Sequence, residues 1–365
     1  MWKRFIKLII LLLMLLGLPL LGIILAHKPI SPYLEFPPRT IYVQHAPFSW
    51  TPFLCYSLFI IVVIMPFIVR VIKGPPDGSV VRLTSAPFPF WGWGGILLGI
   101  IAWILAWNRF SWFTALQIHT FTPLWVAYIM TINALTFRRT GRCIMLNRTP
   151  FFLLLFPSSA LFWWFFEYLN RFVQNWYYGG DQLAAMEYFW YATLPFSTVL
   201  PSVLSTREWL SGFSWPTSKF KDSLPIHLPN PRGISCLVLL FAGMGLLGIG
   251  IWPNHLFPLL WVSPLLIIVS IQTLFDQEHI LSGISRGDWS GVVTYALAAL
   301  ICGFFWEMWN YYSLAKWRYN IPYVNRFQIF EMPALGYAGY LPFGLECAAI
   351  SHLLIADSHG DGTQA

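Results

Sequence analysis

Two matching stretches of sequence, FEYLN at residues 166–170 and WEMWN at residues 306–310, lie about 140 positions apart. Each stretch sits inside a long apolar, aromatic run and carries a Glu and an Asn three positions apart. In a helix this spacing places a carboxyl and an amide on one face. A carboxyl within a membrane-spanning helix is energetically costly and therefore indicates a functional site. The repetition predicts an internal duplication built around a polar site.

The composition places the chain among integral membrane proteins. Hydrophobic residues make up 57% of the 365 residues and charged residues only 10%, whereas soluble domains carry roughly 25% charged residues. The net charge of +7 does not indicate nucleic-acid binding, because the Lys and Arg residues fall in loops between apolar runs, where they set orientation. The expected partners are therefore membrane lipid and a lipid-soluble ligand.

The predicted fold is all-α, a polytopic membrane helical bundle with about ten transmembrane helices. A helix needs roughly 20 residues to cross the hydrocarbon core. The apolar runs that approach this length are 5–26, 51–70, 90–107, 112–136, 150–175, 187–205, 234–252, 256–275, 291–312 and 333–355.

The distribution of basic residues predicts the orientation, since cytoplasmic loops carry an excess of Lys and Arg. With the N-terminus in the cytoplasm, 15 of the 22 basic residues face inward, and the strongest cluster is RRTGR at 138–142. Both termini are then cytoplasmic, and a bacterial inner membrane is expected. The inward set is Lys3, Arg4, Lys7, Arg70, Lys73, Arg82, Arg138, Arg139, Arg142, Arg148, Arg207, Lys219, Lys221, Arg232 and Arg286.

A second pair of matching segments supports the duplication. HTFTPLWV at 119–126 resembles HLFPLLWV at 255–262, and the offsets between matching segments run from 136 to 141. Each repeat holds four spans, an even number, so the two repeats are predicted to be parallel. The expected regions are 1–89 with two spans and an outer loop, repeat one at 90–205, a cytoplasmic linker at 206–233, repeat two at 234–355, and a disordered tail at 356–365.

The matched polar residues fall at similar depths in the predicted spans. Glu167 and Glu307 lie about two turns before the outer ends of their spans, and His119 and His255 lie in the first part of inward-running spans. The pairs are thus expected to converge on one polar chamber. The tryptophans expected to ring it are Trp163, Trp164, Trp306 and Trp309.

The chemistry of a buried carboxyl suggests a reaction. Burial in an apolar pocket disfavours the charged form, and a neutral carboxylic acid can donate a proton. Aromatic faces stabilise a cation. Together these groups suit the protonation of an alkene in a polyene or isoprenoid dissolved in the bilayer. The competing interpretation is that each Glu only fixes helix packing; Arg171, four residues after Glu167, has the spacing of an ion-pair partner.

The second half resembles the small membrane lycopene cyclase domain and its carotenoid hydratase relatives. The resemblance rests on WEMWN at 306–310, Trp317, Pro322, FEMP at 330–333 and Gly336-Tyr337, and it extends more faintly to 163–205. In this sequence Glu331 precedes the proline, where the family has paired acids. The resemblance implies that Glu307 donates the proton, that Glu331 is a second acid or base, and that Trp306, Trp309 and Trp317 stabilise the cation.

The expected function is therefore a membrane enzyme that cyclises or hydrates an isoprenoid or carotenoid by acid initiation. The expected catalytic residues are Glu307, Glu331, Asn310, Glu167 and Asn170, and the expected substrate-binding residues are Trp163, Trp164, Trp306, Trp309 and Trp317.

Three alternatives stay open. The first is an accessory subunit of an oligomer or larger complex that binds pigment. The second is a transporter with a Glu/His proton relay. The third is a haem or metal protein that uses His119 and His255. The sequence itself names no cofactor.

Overall fold

The computed structural model describes residues 2–74, 86–179 and 183–358. Its α-helices are α1 (Trp2–Leu12), α2 (Leu18–Leu25), α3 (Ser31–Leu34), α4 (Trp50–Lys73), α5 (Phe90–Trp107), α6 (Phe121–Thr140), α7 (Ile144–Asn147), α8 (Thr149–Val173), α9 (Ala185–Phe196), α10 (Val199–Ser211), α11 (Trp215–Phe220), α12 (Pro231–Gly248), α13 (Pro253–Leu256), α14 (Leu259–Leu274), α15 (Ser290–Tyr311) and α16 (Tyr340–Ser358). A π-helical turn (Leu13–Gly17) joins α1 to α2, and 3₁₀ segments occupy Ser111–His119, Ser282–Arg286 and Ala334–Gly339. The short strands are β1 (Trp176–Gly179), β2 (Lys316–Tyr319), β3 (Gln328–Ile329) and β4 (Met332–Pro333).

The architecture is a helical bundle of the multi-pass membrane type. Helix makes up 72% of the structure, which confirms the predicted all-α class. Within the described residues, six helices are long and apolar enough to cross a bilayer, and a seventh span arises if the bent pair Ser111–His119 and Phe121–Thr140 is counted as one. The six are Phe5–Leu25, Trp50–Lys73, Phe90–Trp107, Thr149–Val173, Pro231–Gly248 and Ser290–Tyr311.

The remaining predicted spans contain helices that are shorter or interrupted. The run 187–205 is divided between α9 and α10, which are separated by Ser197 and Thr198 just after Pro195. The run 112–136 bends by 67° between its 3₁₀ segment and α6, and the run 256–275 holds the 16-residue helix α14. Hydropathy alone does not register such breaks, because the broken segments stay apolar. Of the predicted tail, α16 includes residues up to Ser358, and 359–365 lie outside the described residues.

Small residues allow two helix pairs to approach closely. On α5, a Cβ at Gly92 would lie 2.5 Å from the Cβ of Ala134 on α6. On α12, a Cβ at Gly245 would lie 2.6 Å from Leu259 of α14. Lipid tails are as apolar as the side chains, so membrane helices associate through such close van der Waals packing. The pairs α5–α6 and α12–α14 are accordingly extensive contacts.

The other packing relations place α10, α15 and α16 at the centre. Helix α10 packs against α6, α8 and α15, and α16 packs against α14 and α15. The strand β1, which follows α8, pairs antiparallel with β2, which follows α15. The two Glu-Asn helices are therefore joined at one end of the bundle by a two-stranded ribbon. Among the six helices long and apolar enough to span a bilayer in the described residues, α4 differs because none of its residues is buried.

Candidate functional site

Glu167 projects from α8 into the protein interior and is fully buried. Its Oε1 accepts hydrogen bonds from the indole of Trp163 at 3.0 Å, the indole of Trp176 at 3.1 Å and the hydroxyl of Tyr178 at 2.6 Å. Its Oε2 has no hydrogen-bond partner among the described residues. Three neutral donors thus converge on one carboxyl oxygen and leave the other unpaired.

Glu307 occupies the corresponding place on α15 and is also fully buried. Its Oε1 accepts from the hydroxyls of Tyr319 and Tyr340, each at 2.7 Å. The Tyr319 oxygen in turn accepts from the indole of Trp317 at 2.8 Å. Oε2 of Glu307 again lacks a partner in the described part of the chain. Both carboxyls therefore share one arrangement, in which aromatic donors hold one oxygen.

The two carboxyl sites differ at the position one turn before the Glu. In α8 this position is Trp163, which donates to Glu167 itself. In α15 it is Gly303, where a Cβ would lie only 2.4 Å from the ring of Tyr340. The glycine thus leaves room for Tyr340, from α16, to reach Glu307. The donor that the first site takes from its own helix is taken in the second site from a neighbouring helix.

Both asparagines hold the backbone where the chain leaves its helix. Asn170 donates to the carbonyl of Trp176 at 2.8 Å and accepts from the backbone N–H of Asn175 at 2.8 Å. Asn310 donates to the carbonyl of Trp317 at 2.8 Å and accepts from its N–H at 3.0 Å. A buried backbone group needs such a partner. The asparagines therefore position the tryptophans that approach each Glu.

The ribbon brings the two sets of donors together. Trp176 lies opposite Tyr319, and Tyr178 lies opposite Trp317. Burial, together with the neighbouring Glu, raises the pKa of Tyr178 and of Tyr319 well above the usual range for tyrosine. Both hydroxyls are therefore neutral hydrogen-bond donors at physiological pH.

A cavity of about 1070 Å³ lies against this ribbon, at the upper end of the ~300–1,000 Å³ found for small-molecule sites. Its wall is mostly aromatic and aliphatic, and α4 closes one side through Tyr56, Ile60 and Val63. Neither Glu167 nor Glu307 lines it, since their aromatic donors stand between. The donors and tryptophans that face the cavity are Trp163, Trp176, Tyr178, Trp261, Trp306, Trp317, Tyr319 and Tyr340.

The five predicted substrate-binding tryptophans have different positions. Trp163, Trp306 and Trp317 line the cavity. Trp164 does not, and its indole donates to the hydroxyl of Thr193 at 3.0 Å. Trp309 does not either; its ring packs edge-on against Trp125 with centroids 5.2 Å apart.

Glu331 and Arg171 are engaged elsewhere. Glu331 forms an ion pair with Lys316 and is not part of the cavity wall. Arg171 does not form the anticipated ion pair with Glu167, because its guanidinium donates to the backbone carbonyls of Pro32 and Glu35. Among the described residues, no cationic side chain hydrogen-bonds to either buried Glu.

His119 and His255 contact tyrosines other than those that bind the carboxyls. The ring of His119 meets that of Tyr191 with centroids 5.4 Å apart, and Nε2 of His255 lies 3.3 Å from the hydroxyl of Tyr323. In the described ranges no group of three or more His, Cys, Asp or Glu residues has the geometry to hold a metal ion. The two histidines thus have separate aromatic partners, Tyr191 and Tyr323.

The sequence interpretation missed the three tyrosines that bind the carboxyls. Tyr178 and Tyr319 follow their Glu residues by 11 and 12 positions, beyond the end of the helix, and Tyr340 begins another helix. The aromatic segments WYYG at 176–179 and KWRY at 316–319 are the sequence pattern that could have indicated these donors. Only Trp317 of these segments is among the predicted site residues.

No protein-family model, no curated protein and no solved structure matches the chain.

Proposed function

We propose that the protein is an integral membrane enzyme that binds an acyclic isoprenoid in this cavity and cyclises or hydrates it by protonating a double bond. One observation supports the proposal above others. Two buried carboxyls, neither hydrogen-bonded to a cationic side chain among the described residues, lie directly behind tyrosine hydroxyls that line a large aromatic cavity. An uncharged acid next to an apolar, aromatic space provides the groups that alkene protonation requires.

We also propose that the chain is an internal duplication of four-helix units within ten spans. Glu167 with Asn170 and Glu307 with Asn310 have the same offset as β1 and β2, and each Asn bonds the backbone of its own strand segment. The packing pairs α5–α6, α6–α10 and α8–α10 have counterparts in α12–α14, α14–α16 and α15–α16. The two sets follow the same order along the chain.

Packing between the halves supports the same relation. Trp125 meets Trp306, the residue before Glu307, with ring centroids 5.0 Å apart. Trp261 meets Phe166, the residue before Glu167, at 5.1 Å. Trp125 and Trp261 are the matched tryptophans of the two related segments, and each packs against the acidic helix of the other half. A twofold relation between the halves accounts for both contacts.

The orientation in this proposal follows the basic residues. Both termini are cytoplasmic in a bacterial inner membrane, and the β1–β2 ribbon lies toward the outer face. A bilayer-dissolved substrate then reaches the cavity beside α4, whose residues Phe59 and Ile64 line the cavity although no residue of this helix is buried.

The proton moves from Glu307 to the substrate through a tyrosine. A protonated carboxyl can donate to the oxygen of Tyr340 or Tyr319, and the direction of such a bond depends on where the proton resides. The tyrosine passes its own proton to an alkene carbon, and the Glu307 proton replaces it. The new C–H bond leaves a carbocation that the faces of Trp306 and Trp317 stabilise.

The reaction closes without any redox partner. In cyclisation a second double bond attacks the cation, and a neighbouring C–H proton returns through the same tyrosine to the Glu307 carboxylate. In hydration, water adds to the cation and its extra proton returns instead. Atoms and electrons balance in both cases, so the chain's own acid is sufficient.

The experiment compares Glu307→Gln with Glu167→Gln in lipid nanodiscs supplied with lycopene or geranylgeraniol. We expect Glu307→Gln to lower product formation roughly 10²–10⁴-fold, the usual range for loss of a general acid. Glu167→Gln should have the smaller effect, and Glu331→Gln, outside the cavity, serves as the control. A folded Glu307→Gln protein that converts substrate at the parental rate contradicts the acid-catalysis proposal.

A second candidate is a non-enzymatic subunit or transporter that holds a pigment or lipid. The position of both carboxyls behind the cavity wall favours it, because neither Glu lines the cavity. An absorption spectrum and organic extract of the purified protein distinguish the two: a retained polyene that is never converted supports binding alone, and a haem band supports a cofactor role.

A further inference from the structure

Matching positions of the two halves of the chain line the two sides of the cavity, but the residues at those positions differ in chemistry. Pro195 and Leu335, about 140 positions apart, both line it, and so do Asn175 and Ala315. The first half therefore contributes an amide where the second half contributes a methyl group. At this position the first-half side therefore carries a polar group that the second-half side lacks.

Three polar groups on the first-half side have no partner. Asn175 is 2% exposed, and its Oδ1 has no hydrogen bond among the described residues. The hydroxyls of Tyr188 and Thr40 are likewise buried without a partner in those ranges. All three residues line the cavity. An unsatisfied buried polar group costs free energy, so three such groups in the wall of one cavity indicate a missing ligand group.

A segment before α4 lies across this side. The N–H of Ile41 donates to Oε1 of Gln174 at 3.1 Å, so the residue after Thr40 contacts the residue before Asn175. Arg39 donates to the carbonyl of Leu183 at 2.8 Å, and its guanidinium carbon lies 5.5 Å from the centre of the Tyr188 ring. Arg39 also lines the cavity and adds a charged donor to the three neutral groups.

We infer that this polar end binds the hydroxyl head group of an isoprenoid alcohol, while the chain extends toward Met332 and Leu335. A hydroxyl both donates and accepts. It can donate to Oδ1 of Asn175 and accept from Tyr188, Thr40 or Arg39. A pure hydrocarbon satisfies none of them. The inference rests on the proposed function and names its substrate class.

The same placement assigns different tasks to the two halves. With the head group at Asn175, the double bonds of the chain lie along the second-half wall, where Tyr340 and Tyr319 connect to Glu307. The first-half carboxyl, Glu167, is then adjacent to the head group through Tyr178, whose ring centre lies 6.3 Å from that of Tyr188.

The test measures binding of three ligands with one chain: geranylgeraniol, the hydrocarbon without the hydroxyl, and geranylgeranyl phosphate. Quenching of the cavity tryptophans in nanodiscs reports affinity, in the parent and in Glu307→Gln, which removes turnover. We expect geranylgeraniol to bind about tenfold tighter than the hydrocarbon, the effect of one or two hydrogen bonds. Asn175→Ala and Tyr188→Phe should each reduce this preference severalfold.

Asn325→Ala is the matched control, since Oδ1 of Asn325 is also unpartnered within the described residues but lies outside the cavity wall. It should leave the preference unchanged. An equal affinity for alcohol and hydrocarbon, or a preference that survives both variants, overturns the inference. Phosphate binding more than tenfold tighter than the alcohol overturns it in favour of an anionic head group. Failure of the proposed function looks different: no isoprenoid binds, or geranylgeraniol binds through Asn175 and is never converted.

Discussion

Replacing Gly303 with Ala tests how the second carboxyl site is built. The new Cβ would lie 2.4 Å from the Tyr340 ring, so the ring must move away from Glu307. Overpacking of this kind costs about 1–3 kcal/mol, and the lost hydrogen bond costs about 1 kcal/mol. The gain in helix propensity returns up to about 1 kcal/mol. The expected net loss of stability is about 1–3 kcal/mol.

Gly291→Ala on the same helix is the control, because its Cβ would meet only Ile280 at an ordinary 3.7 Å. Thermal unfolding in detergent should show a lower midpoint for Gly303→Ala and no loss for Gly291→Ala. Adding Tyr340→Phe to Gly303→Ala should cost less than Tyr340→Phe alone, since the hydrogen bond is already broken. Parental stability of Gly303→Ala, together with additive stability losses for Gly303→Ala and Tyr340→Phe, would refute the claim that Gly303 makes room for the Tyr340–Glu307 hydrogen bond.

Three further outcomes are expected from thermal unfolding. Asn310→Ala should lower stability by about 1–3 kcal/mol, since both backbone groups of Trp317 lose their partner, whereas Asn325→Ala should cost little. Glu346→Leu should leave stability unchanged or raise it, because both carboxyl oxygens are buried without a partner in the described chain; a large loss would reveal a hidden partner. Burial lowers the pKa of His279 below 6.5, so the unfolded state binds more protons and stability should fall as pH drops below about 6.5. His279→Asn should weaken that dependence, and an unchanged pH profile would contradict it.

The sequence predicts the buried acids because burial cost acts locally. Glu167 and Glu307 sit in apolar runs, and both acids and their asparagines are fully buried. The all-α class can be predicted from composition, because long apolar runs with few charges are typical of membrane helices. The helix breaks are different: α9 ends near Pro195, but whether a proline interrupts or only bends a span depends on its neighbours.

The donors around the carboxyls could not be predicted from local pattern. Tyr178 and Tyr319 lie on β1 and β2, which pair across the two halves, a contact between segments about 140 residues apart. Arg171 shows the reverse case. Its spacing from Glu167 suggests an ion pair, but its guanidinium donates instead to the backbone carbonyl of Glu35. Long-range geometry decides both outcomes.

Solvent deuterium tests the central claim most directly. If Glu307 protonates the substrate, the acid exchanges with solvent, and product formed in D₂O must carry a single deuterium at the protonated carbon. The account predicts that label in product from the parent protein and little product from Glu307→Gln. Product without deuterium, or equal labelled product from Glu307→Gln, would contradict acid initiation by this site.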